Sequence, residues 1–245
     1  MRIPLPQTEP SPRERIHALD LIRGVLILGM IGDHILYDCV TYLGVFEGAM
    51  SHPARMSLHY LGAYLFVLLS GASASVSRSN LKRGLMLMGI ALGVTLVTFL
   101  ANPANFIVFG ILHCLAACAI LYALMRPALE RIPHGLAPVL WILLTLLFTW
   151  LTAVVVPESG WFWLFGFENA AFVSADYYPL LPWLFVYLLG AWAGPYIFGH
   201  RLPAWFYRMR CAFLEKIGRW SLWVYILHQP VALFIILVLR EMYFR

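Results

Sequence analysis

The chain is 245 residues long, with 62% of its residues in the apolar set AVILMFWYC and only 12% charged, about half the charge of a soluble globular domain. That excludes a water-soluble enzyme, a disordered chain and a collagen-like repeat, and leaves a polytopic, all-α membrane protein embedded in a lipid bilayer. The net charge of +5 is spread in small groups between apolar runs, so it reads as a topology signal and not as a nucleic-acid surface.

Residues 1–20 hold four prolines and three arginines but no apolar core, which predicts a cytoplasmic arm rather than a cleaved signal peptide. Residues 21–245 read as a single transmembrane domain. Crossing about 30 Å of hydrocarbon takes about 20 helical residues, and with Pro, Asn and basic clusters as punctuation about seven stretches qualify. They are 21–43, 58–77, 84–101, 106–125, 136–157, 179–198 and 219–239. Asn102-Pro103-Ala104-Asn105 should turn the third straight back into the fourth. With the N-terminus inside, thirteen Lys and Arg fall in inner segments and three (Arg55, Arg240, Arg245) in outer ones, Arg23 lying within the first span. No repeat of 20–50 residues and no inverted pair of broken helices marks a common transporter architecture. The longest outer loop, Glu158 to Tyr178, carries Trp161, Phe162, Trp163 and Phe165, which suit either an interfacial aromatic belt or a surface for stacking sugars. Cys39, Cys114, Cys118 and Cys211 show no CxxC spacing and no disulfide framework.

Titratable side chains at membrane depth cost at least about 2.5–3.5 kcal/mol each, so they need partners, a wet cavity or a chemical task. The first span carries Asp20, Arg23, Asp33, His34 and Asp38. Eleven residues separate Arg23 from His34, which is about 20° of azimuth after three full turns and about 16.5 Å of rise, so both lie on one face. Asp20 sits three residues before Arg23 and Asp38 four after His34, on the same stripe. His113 matches His34 at a depth of about 20 Å, and His228 lies about 13–14 Å deep beside Pro230. Three histidines on three helices suggest one polar cavity opening outward from mid-membrane. A three-histidine metal site is disfavoured, because no pair stands at an i, i+4 ligand spacing and no glutamate joins them at that depth; no metal is expected. Arg78, Lys82 and Arg83 crowd the inner loop after the second span, as positive-inside retention alone would demand or as a phosphate site would.

RIHALDLIRGVLILGMIGDHILYD at 15–38, LFVLLSGASASVSRSNLKRG at 65–84, FGILHCL at 109–115, DYYPLLPWLFVYLLG at 176–190 and GRWSLWVYILHQPV at 218–231 together resemble the heparan-alpha-glucosaminide N-acetyltransferase catalytic-domain family, in its short prokaryotic form. The spacing from Arg23 to His34, Ser70-Gly71 and His228-Gln229-Pro230 also resemble the broader membrane acyltransferase-3 group. The resemblance implies an enzyme of a prokaryotic inner membrane that takes an acetyl or other acyl group from acyl-CoA at the inner face to a sugar, glycan or amine at the outer face. By it His34 is the motif histidine and Arg78, Lys82 and Arg83 meet the CoA phosphates. From the shared stripe, the depth and the cost of burial, Arg23 is expected to align the donor, and Asp33, Asp38, His113 and His228 to complete the catalytic group. In the lysosomal relative the key histidine belongs to the outer loop before the second span, where this chain has His52 and, further on, His59. The acceptor and any homo-oligomeric state stay open. The rival reading is a non-catalytic permease or proton-coupled transporter, with Asp33, His34 and Asp38 relaying protons.

Overall fold

A computed structural model describes residues 15–243; most of the N-terminal arm, with Arg2 and Arg13, and Arg245 at the end lie outside the described residues. Helix α1 (His17–Asp38) continues into a π-helical turn (Cys39–Leu43) and is followed by the short α2 (Glu47–Met50). Five long helices and two short ones come next: α3 (Pro53–Ser75), α4 (Asn80–Ala101), α5 (Ile111–Leu129), α6 (Ala137–Val154), α7 (Leu180–Phe198), α8 (Ala204–Arg208) and α9 (Ala212–Arg219). Helix α10 (Ser221–Tyr243) ends the described chain. No strand forms among the described residues; Phe109 and Tyr177 make one isolated bridge.

Six helices, α3, α4, α5, α6, α7 and α10, are long and apolar enough to cross a membrane. Helix α1 matches them in length but carries Asp20, Arg23, Asp33 and Asp38, so it is the polar member of a bundle of about seven. Boundaries differ from expectation where capping decides them. Helix α3 starts at Pro53, five residues before the expected 58, because Pro53 occupies the first turn and His52 accepts the Ala54 N–H at 3.2 Å. Helix α5 starts at Ile111 and not at 106, because residues 106–109 run extended: the Phe106 and Phe109 carbonyls accept from Ala175 and Tyr178. The turn after α4 is correspondingly longer than a tight hairpin.

The bundle is held where backbones touch. Helices α3 and α7 run parallel with small residues facing, Gly71 and Ser75 against Gly190 and Gly194. A Cβ on Gly190 would stand 2.0 Å from the Leu68 carbonyl oxygen and one on Gly71 2.0 Å from that of Tyr187. Helix α9 crosses α1 as closely, with Gly24 against Leu214 and Gly218 against Asp20. Val67, Cys114, Leu115, Trp183 and Tyr187 fill the core among α3, α5 and α7. Helices α4, α6 and α10 turn large apolar side chains outward, among them Leu100, Leu146 and Phe234, as lipid contact requires.

The contacts between neighbours place the start of α1, the ends of α3, α5 and α7, and all of α9 at one end of the bundle, with eleven of the described basic residues. This basic end is tightly paired. Asp20 takes Arg15 Nε at 2.6 Å and Arg23 Nη1 at 3.1 Å, while Arg23 Nη2 donates to Ser73 Oγ. Glu215 accepts from His17 at 2.7 Å, Arg210 at 3.2 Å and the Cys211 N–H at 3.1 Å, and the His17 bond above all holds its carboxyl below the usual range. In the segment at 158–178, Trp161 stands exposed, whereas Trp163 turns inward onto Phe109 and Phe172.

Candidate active site

At the other end the helices part around a cavity of about 1290 Å³. Its wall is contributed by the last turns of α1 and the π-helical turn, the first turns of α3, the ends of α4 and α6, the segment before α7 and the middle of α10. Asp33, His34, Asp38, Arg55, His59, Glu168, Asp176 and His228 all line it, among tyrosines 37, 42, 60, 64, 177, 178 and 225.

His34 is the best-defined group. Asp38, 2% exposed, accepts from the Gln229 amide with both oxygens, Nε2 lying 2.9 Å from Oδ2 and 3.1 Å from Oδ1. A carboxylate only accepts, so Gln229 must present its carbonyl oxygen on the other side, 3.1 Å from His34 Nδ1. His34 Nδ1 therefore carries the proton. His228 leads to the same assignment: its Nδ1 stands 2.5 Å from the Tyr225 carbonyl and must donate, leaving Nε2 as an acceptor 3.2 Å from His34 Nδ1. His34 Nδ1–H is shared between two acceptors, and Nε2 keeps a lone pair with no hydrogen-bond partner among the described residues. An imidazole held this way, in the wall of a cavity, can act as a base or a nucleophile.

Asp38 is linked by hydrogen bonds to His34 through Gln229, a residue that the sequence shows only within the His228-Gln229-Pro230 run. His113 sits apart: it does not line the cavity, its Nε2 lies 3.1 Å from Thr95 Oγ1, and its buried Nδ1 has no partner. Because Thr95 donates its own hydroxyl to the Ile107 carbonyl, His113 Nε2 is the donor, a tertiary clasp between α4 and α5. His52 is exposed at the α3 cap and outside the cavity.

A second group of residues lines the same cavity. Arg55 grips Asp33 with two hydrogen bonds, Nε to Oδ1 at 2.7 Å and Nη2 to Oδ2 at 3.1 Å. His59 Nδ1 lies 2.9 Å from Asp33 Oδ2, and its Nε2 3.2 Å from the Tyr178 hydroxyl. Asp176 accepts the Ile111 N–H at 3.1 Å, capping α5, and lies within electrostatic reach of both His34 and His59. Burial raises the Asp176 and Glu168 carboxyls above the usual range, and burial beside Asp176 raises the Tyr178 phenol well above its own. Neither His59, Tyr178, Asp176 nor Arg55 shares a helix face with the first-span stripe, so no periodicity in the sequence ties them to it.

The donor-loop candidates lie at the basic end, and none lines the cavity. Arg78 and Lys82 are exposed; Arg83 is half-buried and within electrostatic reach of Arg23. Among the described residues no group of three or more His, Cys, Asp or Glu is gathered so as to hold a metal ion.

The model of one protein family, described as heparan-alpha-glucosaminide N-acetyltransferase, catalytic, matches residues 15–230. No curated protein and no solved structure matches the chain.

Proposed function

The chain belongs to the heparan-alpha-glucosaminide N-acetyltransferase catalytic-domain family, and from that premise we propose that it carries an acetyl or related acyl group from acyl-CoA, bound at the basic end, to a sugar, glycan or amine that enters the cavity. The observation that carries this reading is the unpartnered Nε2 of His34, with its tautomer set by Gln229 and Asp38, at the floor of that cavity.

In this scheme the acceptor's O–H or N–H gives its proton to His34 Nε2 as the acceptor atom attacks the thioester carbon. The imidazolium that results keeps its Nδ1–H on Gln229 Oε1 and His228 Nε2, and Asp38 steadies it through the Gln229 amide. Arg78, Lys82 and Arg83 take the CoA phosphates, and Arg23, already matched by Asp20 and Ser73, keeps the inner mouth polar. Eleven helical residues, about 16.5 Å, separate Arg23 from His34, a span suited to a pantetheine arm. The basic end faces the cytoplasm of a prokaryotic inner membrane, in line with eleven described basic residues there against Arg55 and Arg240 at the other end.

The test is release of CoA thiol from labelled acetyl-CoA by the purified protein across a panel of sugars and amines. Acceptor-dependent release, with label in the acceptor, supports the reading. Gradient-driven uptake of solute with no thiol release would instead establish a transporter.

A further inference from the structure

The scheme above leaves one proton transfer unassigned: the leaving thiolate of CoA must be protonated, and when the C–S bond breaks His34 holds the acceptor's proton. Lining the same cavity, Asp33, His59 and Tyr178 form a continuous hydrogen-bonded chain with a carboxylate at one end and a phenol at the other, at 2.9 and 3.2 Å. We propose that Tyr178, recharged by His59 and Asp33, is the acid that protonates the leaving sulfur, so that base and acid of the transfer belong to two separate side-chain units. This rests on the acyl-transfer reading.

The chain's polarity follows from its ends. Asp33 is held by Arg55 through both oxygens, remains an acceptor, and obliges His59 Nδ1 to be the donor. When His59 is neutral its Nε2 accepts, and the Tyr178 O–H points at the ring. When His59 is protonated its Nε2–H turns to the phenol oxygen, and the Tyr178 O–H is released toward the cavity. His59 is faced by Asp33 from α1, by Tyr178 and Asp176 from the segment before α7, and by Arg55 and Tyr60 from its own helix. An oxyanion donor would need no imidazole and carboxylate behind it; a group that gives a proton and must regain it does.

The step balances. The acceptor X–H bond breaks and its proton goes to His34 Nε2, the X–C bond forms, and the tetrahedral intermediate collapses with cleavage of C–S. The sulfur takes the Tyr178 proton, the phenol oxygen takes that of His59 Nε2, and water in the open cavity returns a proton from His34 to His59. The products are acylated acceptor and CoA thiol.

The two units predict that loss of the acid is felt most where the leaving thiolate is basic, as that of CoA is. With acetyl-CoA and the protein in detergent, Tyr178→Phe should slow transfer by about 10²-fold. His59→Gln should do so as well, and both losses should shrink with an acetyl thioester whose leaving thiol is strongly acidic, whereas His34→Ala keeps its loss. An undiminished loss in His59→Gln with that thioester, or near-normal turnover by Tyr178→Phe with acetyl-CoA, overturns the inference. Failure of the underlying reading looks different: the wild type then consumes no acetyl-CoA, or His34→Ala transfers normally. Each variant is first shown to keep the wild-type melting temperature. Should His59→Gln not fold, Tyr178→Phe, which keeps the ring and removes only the hydroxyl, decides by its rate alone.

Discussion

The two ends of this bundle use charge in opposite ways. At the basic end every buried acid is matched: Asp20 has Arg15 and Arg23, Glu215 has His17 and Arg210, and glycines bring α1 and α9 into backbone contact around them. At the cavity end Asp33 is matched by Arg55 and His59, but Asp38 accepts only from an amide, Asp176 only from a helix terminus and a tyrosine, and His34 keeps a free lone pair. Paired charges there fasten helices together, whereas under-partnered ones remain available to a reactant.

The sharpest way to break that comparison is His34→Ala, which should lower transfer by about 10²–10⁴-fold while the melting temperature holds; a large loss of stability with residual activity would mean His34 belongs to the fastening class. Gln229→Leu comes next. It strips Asp38 of its donors and frees the His34 tautomer, and loss of about 1.5–3 kcal/mol of charge-assisted bonding corresponds to roughly 10–100-fold in rate, measured by thiol release at saturating acetyl-CoA. Gly218→Ala tests the other end: its Cβ would meet the Asp20 carbonyl oxygen at 1.8 Å, so a cost of about 1–3 kcal/mol in stability is expected, with the pH profile of transfer unchanged in shape. The smallest effect is Glu215→Gln. The folded carboxyl titrates below its ordinary value of about 4.5, so its contribution is full above that pH and is lost as the pH falls below it. The melting temperature of the variant should therefore fall less steeply than that of wild type as the pH is taken below about 4.5.

Much of this was legible in the chain. A stripe of titratable groups at helical spacing along 20–38 is visible because membrane burial makes each one costly, and Arg23, His34 and Asp38 do meet partners across the bundle. His228 is visible by the same reasoning, and it lines the cavity. Its neighbour Gln229 is not, because an amide carries no charge to flag it, although it links Asp38 to His34. His59, Tyr178 and Asp176 escape for a different reason: they stand on α3 and an extended segment, and only the packing of α7 beside α3 brings them to α1. His113 shows the converse, since depth matched His34 but depth says nothing about azimuth, and α5 turns it toward Thr95.

The π-helical turn at Cys39–Leu43, just after Asp38, has a consequence for how this site could diversify. A π turn holds one residue more than the α geometry it interrupts, which is how a helix absorbs a single-residue insertion without disturbing what precedes it. Asp38, His34 and Asp33 keep their phase, while Thr41 and Tyr42, which line the cavity beyond, are rotated by the extra residue. The cavity rim can thus be re-dealt by gain or loss of one codon at this place, leaving Asp33, His34 and Asp38 beneath it untouched. Within one scaffold that is a short route to a cavity of different shape.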